Sequence, residues 1–66
     1  MTVKVANMQG HVFMKVTELK DMFTPEQVHQ IASQGYIFFV NGIMVAPDEV
    51  ILRATEAYFR ELQENV

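Results

Sequence analysis

Apolar and polar positions alternate twice at the start of the chain. In residues 2–7, Val3 and Val5 take one side while Lys4 and Ala6 take the other. In residues 11–16, Val12, Met14 and Val16 oppose Phe13 and Lys15. A period of two is the signature of a half-buried strand. Between the two runs lie the turn residues Asn7-Met8-Gln9-Gly10, with Gly10 able to take a positive φ. The pattern predicts a β-hairpin.

The period then changes. Thr17 offers a helix N-cap, Glu18 places an acid in the first turn, and Leu19, Met22 and Phe23 follow at helical spacing. A short helix of about two turns is predicted. Thr24-Pro25-Glu26-Gln27 is the sharpest local signal. Threonine caps the following N–H groups, proline at the first helical position loses no needed donor, and glutamine three residues on reaches back to close a capping box. Phe23 is placed to staple onto Val28, the helix continues through Ile31 and Ala32, and Gly35 ends it as the first residue beyond the cap.

Residues 36–45 read Tyr-Ile-Phe-Phe-Val-Asn-Gly-Ile-Met-Val. Asn-Gly between two β-rich runs predicts a second hairpin, because a type I′ turn needs positive φ at both central positions. Residues 35–47 hold no charged side chain. Exposed, such a segment invites aggregation, so it is expected to lie under helices, in the middle of a sheet or beneath another subunit.

Pro47-Asp48-Glu49 opens a final helix, with acids at its positive end, running to about Glu64. Glu49–Arg53 and Glu56–Arg60 are i,i+4 pairs in the favourable order. Val50, Ile51, Ala54, Ala57, Tyr58 and Leu62 form one broad apolar face, and Leu52, Phe59 and Val66 add a second stripe spaced by seven. A helix packing on one sheet needs an apolar stripe of about 100° or somewhat more, and this one is wider. The element order is β-β-α-α-β-β-α. It describes a single α+β domain over residues 1–66, with two hairpins and a long C-terminal helix. Whether the hairpins share one sheet is left open.

Length sharpens the apolar excess. A chain of 66 residues, half of them hydrophobic, has little interior in which to hide them; it buries only about 60% of the surface its unfolded form exposes. Small domains compensate with disulfides, metals or self-association. There is no cysteine, which excludes disulfides and thiolate zinc sites, and His11 and His29 are too few for a structural metal. Self-association remains. The formal charge of −3 argues against broad phosphate binding. No apolar run approaches the roughly 18 residues of a membrane span, and residues 1–5 do not begin a signal peptide, so a cytoplasmic protein is expected.

Catalytic constellations are sparse. Ser33 and Glu26 lie near His29 at helical spacing, but Ser33 and His29 read as two polar residues on a solvated face, and one histidine with one glutamate lacks the third ligand that a metal site needs. The three glycines are scattered and form no phosphate cradle. No catalytic residue, cofactor, metal or small-molecule substrate is assigned, and the chain is expected not to be an enzyme.

From Thr17-Glu18-Leu19 through Gly35-Tyr36 to Asn41-Gly42, the element order resembles winged helix-turn-helix domains, and in layout the small phage excisionases, over about residues 12–60. The resemblance implies a DNA-binding transcriptional regulator with residues 25–34 as reading helix and Gln27, Gln30 and Gln34 facing adenine edges. The sequence departs from that pattern in having no Lys or Arg in residues 25–34 or 36–46. Glutamines without phosphate contacts are not held in register. The first hairpin, the helix and Phe39-Val40-Asn41-Gly42 also look like the start of a β-grasp sulfur carrier. The ending Glu64-Asn65-Val66 lacks the terminal Gly-Gly of that family, so its function does not carry over.

The expectation that follows is a non-enzymatic protein-interaction module. It is expected to self-associate and to regulate or inhibit a larger protein by docking on it, as small phage-encoded proteins do. The side chains expected at its interface are Leu52, Tyr58, Phe59 and Leu62, with Phe38 or Phe39 from the second hairpin, since aromatic residues concentrate interface energy.

Overall fold

The computed structural model describes residues 1–64. Its elements are β1 (Val3–Ala6), β2 (Val12–Val16), a 3-10 turn (Leu19–Asp21), α1 (Pro25–Ser33), β3 (Ile37–Val40), β4 (Ile43–Val45) and α2 (Pro47–Glu64). This is the α+β order read from the pattern, with both hairpins and the long last helix in place.

The two hairpins join in one antiparallel sheet of order β2-β1-β3-β4. β1 pairs with β3, Val5 opposite Phe38 and Lys4 opposite Phe39. β2 and β3 therefore run parallel, one strand apart, and α1 makes the crossover between them. At the far end the Asn41-Gly42 turn has φ of 51° and 85°. Its Asn41 side chain also accepts a hydrogen bond from the Thr2 N–H at 3.0 Å, and the Asn41 N–H donates to the Thr2 carbonyl at 2.8 Å. The hairpin turn is thereby tied to the start of β1.

Directly paired residues put their side chains on the same face. Val3, Val5, Phe38 and Val40 point to the helical side, where they meet Val28 of α1 and Val50 of α2 in one buried cluster. Met22, Phe23, Ile31, Ala32, Val45 and Ile51 close around it. Both helices lie on this one side of the sheet. α1 opens with the full capping box: the Gln27 N–H donates to Thr24 Oγ1 at 3.2 Å, and the Thr24 N–H donates to Gln27 Oε1 at 2.9 Å. Gly35, at φ 92°, turns the chain out of the helix.

Three differences from the sequence reading follow from this packing. The helix expected to open at Thr17 is a single 3-10 turn, and Glu18 at its N-cap makes no side-chain cap. Met22 is extended at ψ 151°, and Thr24, which precedes a proline and caps α1, is held extended as well. Too few residues remain for a second turn. The second hairpin is not a free wing, because β3 is an inner strand paired to β1. The three-helix support of a winged helix is thus not what this chain builds. Finally, Phe38, expected at an interface, is 1% exposed at the centre of the core. It is the largest fully buried side chain, with no surface left for a partner.

Candidate protein-interaction surfaces

α2 carries apolar side chains on two sides. At 100° per residue, Val50, Ala54 and Ala57 share one stripe, and this stripe meets the core, α1 and the 3-10 turn. Next to it, through Tyr58, Leu62, Thr55, Phe59 and Leu52, runs a second arc about 120° wide. Its four large members stay exposed: Leu52 51%, Tyr58 54%, Phe59 57% and Leu62 46%. Tyr58 and Phe59 hold each other edge to face, with ring centroids 6.0 Å apart. Leu19 of the 3-10 turn and Met22 just after it abut the arc and shape a shallow groove of about 310 Å³ with Ala54, Thr55, Tyr58 and Phe59. The wet side of α2 carries Glu49 and Arg53, where Arg53 Nε donates to Glu49 Oε1 at 2.9 Å. Among the described residues, Glu56 and Arg60 form no such ion pair.

The second surface is the side of the sheet away from the helices. Register puts Lys4, Ala6, Val12, Lys15, Ile37, Phe39 and Met44 there. Val12 is 48% exposed and Met44 64%, while Ile37 and Phe39 are half-buried. A concavity of about 200 Å³ lies among Lys4, Ala6, Gly10, Val12, Phe39 and Gly42. Lys4 and Lys15 are direct cross-strand partners. Like charges in that position repel, and among the described residues neither ammonium has an ion-pair partner.

The expected interface residues therefore divide. Leu52, Tyr58, Phe59 and Leu62 come together on α2, Phe39 lies on the opposite surface of the molecule, and Phe38 is core. Sequence reasoning missed Val12, Ile37, Met44 and the lysine pair. The alternation of Lys4 with Val3 and Val5 marked a polar side of β1, but only pairing reveals which other side chains share it.

The remaining candidates have local roles. Ser33 Oγ donates to the Gln30 carbonyl at 2.6 Å and does not engage His29. His29 Nε2 lies 3.8 Å from Asp48 Oδ1 on the exposed surface. Among the described residues, no three His, Asp or Glu side chains gather as a metal site. Gln27 is committed to the cap, whereas Gln30 and Gln34 are exposed on a helix without lysine or arginine. No described helix is long and apolar enough to cross a membrane.

No protein-family model, curated protein or solved structure matches this chain. Any functional reading therefore rests on these surfaces.

Proposed function

We propose that this chain is a non-enzymatic protein-interaction module that self-associates and regulates or inhibits a larger protein by docking on it. One observation carries the reading. Among the described residues, seven hydrophobic ones are buried, and ten large ones, including Leu52, Tyr58, Phe59 and Leu62, stay exposed. Single exposed hydrophobics are ordinary, but contiguous apolar patches on a small protein mark interaction sites. Six of the ten form two such patches: Leu52, Tyr58, Phe59 and Leu62 make the α2 arc, and Val12 and Met44 lie on the open sheet face beside the half-buried Ile37 and Phe39.

The test is mass in solution by light scattering across a range of concentrations. The expected result is a mass that rises with concentration. Phe59→Glu should abolish that rise while the far-ultraviolet circular dichroism keeps its helical signal, because Phe59 is 57% exposed in the single chain. A wild-type chain that stays monomeric throughout would refute self-association. Unfolding of Phe59→Glu would place that side chain in the monomer's own core.

A further inference from the structure

The two apolar surfaces differ in charge, and this decides how they are used. α2 carries five acids, Asp48, Glu49, Glu56, Glu61 and Glu64, against Arg53 and Arg60. The open sheet face carries Lys4 and Lys15 and no acid. Pairing α2 with a second α2 sets two acidic helices side by side. Pairing two open sheet faces sets four lysines together, where each pair already repels across its own strands. Only the helix of one copy on the sheet face of another brings opposite charges together around matched apolar surfaces.

On this ground we propose that self-association is head-to-tail: the α2 arc of one copy seats on the open sheet face of the next. This deepens the self-association reading above and rests on it. Leu52, Phe59 and Leu62 lie over Val12, Phe39 and Met44, and the acids flanking the arc approach Lys4 and Lys15. The dimensions fit. An 18-residue helix is about 27 Å long and about 10 Å wide. It crosses a four-stranded sheet whose outer strands are about 14 Å apart. The helices cover the opposite side of the sheet, so a chain cannot place its own α2 on its own open face. Because the two patches face opposite sides of the molecule, two copies cannot make both contacts with each other, and the association propagates into a ring or an open chain of copies. The exposed parts of the four large α2 side chains offer on the order of 400 Å² per contact. With a matching sheet surface this is the low end of interface sizes, where association is weak and reversible.

Two variants separate this arrangement from the two symmetric ones. Met44→Glu spoils the sheet face and leaves α2 intact, while Phe59→Glu does the reverse. Both side chains are more than half exposed, so each variant should keep the fold, as checked by circular dichroism. Light scattering should show wild-type mass growing past a dimer, and each variant alone staying monomeric. An equimolar mixture of the two variants should form a one-to-one heterodimer and stop there, since only one live helix and one live sheet face remain. Raising the salt should weaken this heterodimer by tenfold or more. If Met44→Glu self-associates like wild type, the contact is helix to helix and the proposal is overturned. Self-association of Phe59→Glu would overturn it in favour of sheet to sheet. In both cases the broader self-association reading survives. A wild-type chain monomeric up to millimolar concentration removes both.

Discussion

Replacing Lys15 with glutamate should change monomer stability and self-association in opposite directions. Lys15 stands directly opposite Lys4 on adjacent antiparallel strands. Pairs in that position contribute roughly 0.2–1 kcal/mol, favourable for opposite charges and unfavourable for like ones. Lys15 is exposed and Lys4 only half-buried, so the lower part of that range applies. Turning repulsion into attraction should then stabilise the single chain by about 0.5–1 kcal/mol. For a domain of this size 1 kcal/mol corresponds to about 4–8 °C in Tm, so Lys15→Glu should melt roughly 2–8 °C higher. The assay is thermal unfolding by circular dichroism at a dilution where both proteins are monomeric. It should be run at low salt and again near 1 M salt, where charges about 3 Å apart are already screened. The gain should shrink at high salt. Light scattering at high concentration should show weaker association, because the sheet face has lost one of its two cations. At such concentrations the stability gain should fade too, since association stabilises the wild type by mass action. An unchanged or lowered Tm at low salt would refute the cross-strand placement. A gain that persists at high salt would show that charge is not its cause.

Other perturbations test the frame that presents these surfaces. Phe38→Ala removes the largest fully buried side chain and should cost about 3–5 kcal/mol, a large part of the roughly 3–10 kcal/mol that a chain of this length commands; a urea titration that leaves stability intact while association falls would return Phe38 to the surface. Thr24→Ala breaks the capping box of α1 and should lower stability by about 1 kcal/mol with an unchanged urea m-value. Gly42 sits at φ 85°, and a Cβ there meets nothing within 4 Å. Its replacement by L-alanine should cost about 1 kcal/mol through the backbone alone, and D-alanine by chemical synthesis should restore the loss in a thermal melt; equal stability of the two would refute a left-handed residue at this turn.

The elements whose cause is local were legible in the sequence. The capping box at Thr24-Pro25-Glu26-Gln27, the Gly35 stop, the Asn41-Gly42 turn and the span of α2 all appear as read, because each depends on a handful of adjacent residues satisfying their own backbone groups. The 3-10 turn was misjudged for the complementary reason: Leu19, Met22 and Phe23 have helical spacing, but Met22 and Phe23 are drawn into the core from an extended connection, and α1's cap occupies the room a helix would need. The exposed apolar surface was half legible. The spacing of Leu52, Tyr58, Phe59 and Leu62 on α2 announced more apolar surface than one sheet can cover, and that arc is exposed. β3 gave no such help. Ile37, Phe38, Phe39 and Val40 are all apolar, so no alternation tells which parity meets the helices. Only the pairing of β3 with β1 sends Phe38 inward and Phe39 out, and sets Lys4 beside Lys15 on the open face. Capping and turn chemistry are settled within a few residues of chain. Strand order and the choice of buried face are settled by contacts between segments more than twenty residues apart, and these exist only once the sheet has closed around its core.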